Sequence, residues 1–264
     1  SHLLTLPTVA SGSSGNCALL TEGETHVLID AGISCRRICT ALRGLGMEPA
    51  DLAGVLITHE HTDHIAGVAT LTKQLRVPVY TSPGTGRQLC YRIAALEDLL
   101  HPVSPGTAFS LGGLDIETFP TLHDAAEPMG FAVSSGGRKA AVVTDLGLVT
   151  EAVRAGMAGA SLVLVEANHD EEWVRSGPYP YALKARILGD RGHLSNEAGG
   201  LLARSAVEAG ARTVVLAHLS RENNTPEHAL AAVSTALLGC GIHPGRDMLL
   251  EVAPRSGTGH TYPV

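Results

Sequence analysis

Four side chains able to hold a metal ion fall within six residues of this sequence: His59, His61, Asp63 and His64. Neutral imidazole combined with carboxylate suits divalent zinc, manganese, iron or nickel. The cluster follows an apolar run at 54–57 that reads as a buried strand. It leads into an apolar-periodic stretch at 65–75 that reads as a helix. In an extended loop His59 and His61 point the same way, because successive side chains alternate. Asp63 and His64 then turn with the chain into the helix, where they can face a second ion. One histidine here would be an ordinary surface residue; four ligand types at a single strand-to-helix turn have no comparable structural explanation. His123, Asp145 and His218 repeat the placement, each just beyond an apolar run. Alone, each reads as a solvated loop residue; together they predict strand ends converging on one site.

The elements that must position these residues can be read along the chain. Strands are expected over 3–10, 17–20 and 26–29, with a polar turn at 11–16. Asp30 closes the third, either as a turn former or as a brace for the histidine loop through hydrogen bonds behind it. A helix over 33–45 is stopped by Gly46. A strand over 77–80 and a mostly helical stretch over 85–100 follow. Further strands are expected at 114–119, 131–133, 139–143 and 161–165, and residues 171–193 read as irregular and polar. Ser195 or Asn196 can cap a helix running to Ala209. A strand over 213–217 ends at His218. Thr225 and Pro226 start a helix reaching Leu238, in the cap-then-proline order, and 248–252 is a last strand. No linker or repeat divides the chain, and runs of strands alternate with helices. The pattern predicts one α/β domain over 1–264, with two sheets face to face and helices outside.

Composition limits the alternatives. Hydrophobic residues make up 44% and charged residues 17%, which suits a packed globular chain. Aromatics are only 3%, so aliphatic side chains must fill the core. A net charge of −7 argues against broad nonspecific nucleic-acid binding through a basic surface, though not against a local groove. No run approaches a membrane span and no secretory pattern opens the chain, so a cytoplasmic protein without membrane partners is expected. Five cysteines without a C-x-x-C pair fit reduced thiols. Cys35 and Cys39 would share a helix face, read as small apolar residues rather than a redox or metal pair. Ser1 and His2 are assigned no role.

Taken in order, Asp30, the H-x-H-x-D-H run at His59 to His64, His123, Asp145 and His218 resemble the metallo-β-lactamase fold superfamily over essentially the whole chain. The resemblance implies an αββα sandwich of two mixed β-sheets flanked by helices, with two divalent metal ions at one edge. By position, His59, His61 and His123 would bind the first ion, and Asp63, His64 and His218 the second. Asp145 would bridge them and Asp30 would support the loops. Two ions about 3.5–4 Å apart can hold a hydroxide at neutral pH, which Asp63 could also orient. Aspartate at 145, where typical lactamases use cysteine, argues against a lactamase, and no residues remain for a flavin domain.

A narrower branch, the YycJ/WalJ-type proteins, is resembled by the stretches at 11–16, 28–32, 166–170, 177–196 and 218–224. That resemblance implies a metal-dependent phosphodiesterase acting as a 5′-to-3′ DNA exonuclease, on single- or double-stranded ends, with RNA a further candidate partner. Tyr179, Lys184, Arg186 and Arg191 place an aromatic and cations in one segment, for a base and for phosphates. A solvated loop is the alternative for Tyr179 and Arg191. His193 could protonate the leaving oxygen or hold the scissile phosphate, or merely precede the helix cap. Ser220, Asn223 and Asn224 follow a ligand and could touch phosphate, while His169 reads as support or structure. The rivals are a thioester or small-ester hydrolase of the glyoxalase II type, a small cyclic phosphodiesterase, and a metal-holding regulator without turnover. The identity of the metal and the oligomeric state are left open.

Overall fold

A computed structural model describes residues 3–264; Ser1 and His2 lie outside the described residues. The first sheet holds β1 (Leu4–Thr5), β2 (Thr8–Ala10), β3 (Cys17–Glu22), β4 (Thr25–Ile29), β5 (Leu52–Leu56), β6 (Val79–Thr81) and β7 (Leu100–Pro102). They lie in the order β1-β3-β4-β5-β6-β7, with β2 also paired to β3. The β3–β4 pair is antiparallel, and β4 through β7 are parallel. Helices α1 (Cys35–Gly44), α2 (Thr62–Ile65), α3 (Val68–Leu75) and α4 (Pro83–Arg92) accompany it.

The second sheet holds β8 (Ala108–Leu111), β9 (Leu114–Pro120), β10 (Met129–Ser135), β11 (Arg138–Val143), β12 (Leu162–Glu166), β13 (Thr213–Ala217) and β14 (Leu249–Val252) in consecutive order. β8 through β11 are antiparallel, and β11 through β14 parallel. The remaining helices are α5 (Glu151–Met157), α6 (Glu171–Ser176), α7 (Tyr181–Leu188), α8 (Asn196–Glu208) and α9 (Pro226–Leu238).

Strands alternate their side chains, and here both faces are apolar because both are covered. Leu20, Val27, Ile29 and Leu56 meet Phe131, Val133, Val142 and Leu164 between the sheets. The opposite faces pack under helices, with Leu28 and Val55 near Ile38, Leu42 and Leu71, and Val163 and Leu216 near Val153, Leu202 and Val233. This is the expected αββα sandwich of two mixed sheets, filled mostly by aliphatic residues.

Several boundaries differ from expectation. Leu6–Pro7 divides the first strand, since proline lacks the N–H a ladder needs. The helix expected over 65–75 breaks at Ala66–Gly67, where a side chain on Gly67 would collide with the Ile33 carbonyl. The helix over 85–100 stops at Arg92, and 3-10 turns cover Ala94–Leu99. Residues 171–193 are not irregular but carry α6, capped by the Asp170 carboxylate on Trp173 N at 3.0 Å, and α7. Strands β7 and β8 and helix α5 have no counterpart among the expectations.

Candidate metal centre

The C-terminal ends of β4, β5, β11, β12 and β13 deliver their following residues to one edge of the sandwich. Three of these residues take left-handed backbone: Asp30 at φ 60°, Asp145 at 58° and His218 at 59°. Short polar residues tolerate that region best. Such strain, set where a strand ends, re-aims each side chain across the edge. The ligand turn is held close by glycine: a side chain on Gly32 would collide with the Asp63 carbonyl, which accepts from Asn16 N at 2.8 Å.

Donor atoms of His59, His61 and His123 form one group and those of Asp63, His64 and His218 another, each within 4.8 Å across. Asp145 stands between them. Its Oδ1 lies 3.5 Å from His123 Nε2 and 3.3 Å from His218 Nε2, and its Oδ2 lies 2.9 Å from His64 Nε2. Asp63 Oδ2 lies 3.2 Å from His218 Nε2. His59 Nε2 and His123 Nε2 are buried without a hydrogen-bond partner. Buried polar atoms are rarely left so, and with this donor set the cluster fits divalent metal ions.

Hydrogen bonds behind the cluster fix which nitrogen faces it. The Thr58 hydroxyl donates to Asp30 at 2.9 Å, so it accepts from His59 Nδ1–H at 2.9 Å, and the Nε2 lone pair is presented inward. His64 Nδ1–H donates to Asp30 Oδ2 at 2.7 Å and His123 Nδ1–H to the Gly192 carbonyl at 2.8 Å, with the same consequence. His61 is reversed: its Nε2–H donates to the Asp124 carbonyl at 2.8 Å, which leaves Nδ1. Asp30 therefore acts as the brace that was one of its two sequence readings.

Glu166 opens the 166–170 stretch and has no separate role in the sequence reading. It is fully buried at the end of β12. Its carboxylate accepts from Asp145 N at 3.2 Å, Leu194 N at 2.9 Å and His193 Nδ1 at 3.0 Å, and lies 3.3 Å from His218 Nδ1. The strand-end placement that identified the ligands applies to Glu166 too. The turn at 11–16 also has a role sequence did not assign: Ser11 Oγ accepts from His218 N at 2.9 Å, and Asn16 Nδ2 donates to Asp63 Oδ2 at 3.2 Å.

Charge divides the cluster. Burial, with neighbouring histidines, pushes His59 well below and His123 below the ordinary histidine range. Burial opposes charge on His64 and His218 as well, but carboxylates outweigh it. Asp145 and Asp30 hold His64 well above its usual value, and Asp145 with Asp63 raises His218 to about 9. Asp63 and Asp145 are held below the carboxylate range, where His218 and His64 outweigh the burial that would raise them. His193 is raised, the Glu166 carboxylate outweighing its burial.

A cleft of about 270 Å³ opens over Asp63, Asp145 and His218. Tyr179, His193, Ser220 and Asn223 line it as sequence suggested, joined by Leu183 and Ile187 of α7 and by Ser13. Lys184 and Arg186 do not: Lys184 Nζ donates to the Arg175 carbonyl at 2.6 Å and Arg186 pairs with Asp124 at 3.1 Å. On this helix Lys184 and Arg186 flank the 183/187 face, and their side chains are engaged by those partners outside the cleft lining. Arg191 is exposed. Asn224 exchanges two 2.9 Å hydrogen bonds with Asn196 and donates to the Ala167 carbonyl at 3.0 Å. His169 is buried beside Asn168, which donates to the His218 carbonyl at 2.8 Å; burial pushes His169 down to about 4. A second cavity, about 340 Å³, lies between Leu6, Val215, Val252 and Tyr262 and touches none of the cluster.

An αββα sandwich with a histidine–aspartate cluster at its strand ends defines the metallo-β-lactamase fold. The chain belongs to the β-lactamase superfamily: the family model described as "Beta-lactamase superfamily domain" matches residues 25–219. Among its relatives, the exodeoxyribonuclease YycJ of Bacillus anthracis is 36% identical over 230 residues, 87% of each chain. The exodeoxyribonuclease WalJ of Streptococcus pneumoniae serotype 2 is 34% identical over 254 residues, 95% of this chain and 94% of that one. Among solved structures, the fold is shared by YhfI of Bacillus subtilis, with a TM-score of 0.71 at 17% identity over both whole chains. Zn(2+)-bound PqqB of Methylobacterium extorquens has a TM-score of 0.71 at 19% identity, over 98% of this chain and 100% of that one.

Proposed function

We propose that the protein is a metal-dependent phosphodiesterase that releases nucleotides from the 5′ ends of DNA. His59, His61 and His123 would hold one divalent ion and Asp63, His64 and His218 a second, with Asp145 lying between the two sets. The observation that carries the reading is the cleft, where the donor cluster faces a wall able to take a nucleotide. Relatives named exodeoxyribonucleases, similar over most of the chain, support it. When bound, the ions supply electrophilic stabilisation of a phosphoryl group and activation of water.

The chain's own residues do the rest. Glu166 fixes His193 through Nδ1, which leaves Nε2 for the substrate. A protonated His193 can hold the scissile phosphate or give its proton to the departing oxygen. Tyr179 offers a ring to the base, and Ser220 and Asn223 offer neutral hydrogen bonds to phosphate or sugar. Metal-loaded protein should release mononucleotides from 5′-labelled DNA and hydrolyse bis(p-nitrophenyl) phosphate, with little turnover of a thioester. Thioester hydrolysis without phosphodiesterase activity would replace this function with the glyoxalase II-like one.

A further inference from the structure

Two residues that brace histidines of the cluster also hold the α7 helix. The Gly192 carbonyl accepts from His123 Nδ1–H at 2.8 Å. Gly192 also lies against the end of α7, where a side chain on it would collide with the Ile187 and Arg186 carbonyls. The turn closes there: His193 N donates to the Ile187 carbonyl at 3.1 Å and Gly192 N to the Gly189 carbonyl at 3.0 Å. Asp124 repeats the arrangement. Its carbonyl accepts from His61 Nε2–H at 2.8 Å, its carboxylate meets Arg186 of α7 at 3.1 Å, and its N–H donates to the Arg191 carbonyl at 3.0 Å. His61 and His123 both belong to the first ligand group. Moving α7 therefore pulls on the acceptors that orient two of its three imidazoles.

The α7 helix is weakly held by the rest of the molecule. It spans eight residues, with no buried side chain and no side-chain cap, and a helix this short does not stand alone in water. Leu183 and Ile187 face the cleft rather than the core, and Tyr181 is 85% exposed. Such a segment opens at lower free energy than the packed sheets. Lys184 Nζ ties its start to the Arg175 carbonyl. At its far end the Arg186–Asp124 pair is exposed and contributes little, so the turn at Gly192 is the main tie.

We infer that α7 is a lid whose closure is linked to the first ion. An ion on His59, His61 and His123 holds Gly192 and α7 in place and so completes the wall of the cleft. This rests on the metal centre above and not on the substrate. Removing an acceptor behind a ligating histidine weakens metal binding about 10–100-fold, and linkage makes the effect reciprocal. The ion should therefore slow the opening of α7 by at least about tenfold.

The test is amide hydrogen exchange over 181–192, compared between chelated protein and protein loaded with zinc, with bound zinc measured on the same samples. Loading should slow exchange there at least about tenfold and change α5, which braces no ligand, by less than about threefold. Equal exchange with and without zinc, or equal slowing in α5 and α7, overturns the inference. Protection should survive in Asp63→Asn, which impairs the second ligand group, and vanish in His123→Ala; the reverse pattern overturns it. Gly192→Ala should speed exchange over 181–188 and weaken one ion about tenfold, and a variant unchanged in both breaks the link. If these variants do not fold, the comparison on the native protein still decides. A loaded sample with no bound zinc removes the metal centre itself, whereas bound zinc with unchanged exchange removes only the lid.

Discussion

Asp30 and Glu166 perform the same task from opposite sheets: each is a buried carboxylate at a strand end that holds an imidazole of the site. Asp30 could be suspected from sequence because it precedes the ligand run in a known order. Glu166 has no such signal in sequence, because a carboxylate behind ligands leaves no spacing signature. Two substitutions test this support. Thr58→Val removes the hydroxyl between Asp30 and His59 at nearly constant volume. It should weaken metal affinity about 10–100-fold, measured by competition with a chromogenic chelator; unchanged affinity would show that the His59 tautomer needs no such brace. Glu166→Gln should lower kcat by about 10²-fold or more, since His193 loses its charged partner. A kcat within twofold of the native value would take His193 out of proton transfer.

At the scale of elements, most strands, β7 and β8 excepted, and the α8 and α9 helices were legible because apolar runs and caps mark them: Ser195 Oγ accepts from Ala198 N, and Thr225 Oγ1 from His228 N. The α7 helix was not legible. It has no buried residue and no side-chain cap, so neither periodicity nor a start signal stood out. That omission left unforeseen that Lys184 and Arg186 turn to the Arg175 carbonyl and to Asp124 rather than to the cleft. Arg186→Ala should change stability by less than about 0.5 kcal/mol, its pair with Asp124 being exposed. DNA hydrolysis should stay within about twofold; a tenfold loss would return Arg186 to the substrate. The turn at 167–170 carries a pH dependence. His169 is buried and neutral, its folded value of about 4 lying below an unfolded value near 6.5. Its contribution is therefore present above pH 6.5 and is lost as pH falls toward 4, by at most about 3 kcal/mol. Denaturant unfolding at pH 7 and pH 4.5 should show a smaller drop for His169→Gln than for the native protein, and equal drops would contradict it.

Across the whole molecule, two sheets bring seven candidate ligands, spread from His59 to His218, to one edge. The αββα architecture was legible from strand order and the ligand series. Which nitrogen each histidine presents depends on partners such as Gly192 and Asp124, distant in sequence and visible only in the fold. Metal and proton compete at this edge. His218 keeps its proton up to about pH 9 without metal, and a ligating imidazole must be neutral. Apparent metal affinity should rise between pH 7 and 9, by up to about tenfold per unit for each proton displaced; calorimetry showing flat affinity and no proton release would contradict this. The most direct test of the metal-dependent nuclease is elemental analysis and DNA hydrolysis measured on one preparation, for the native protein and for His61→Ala. The account predicts close to two divalent ions per chain with activity in the native protein, and loss of both bound metal and activity in the variant. Full activity in a variant depleted of metal, or in the native protein after chelation, would contradict it.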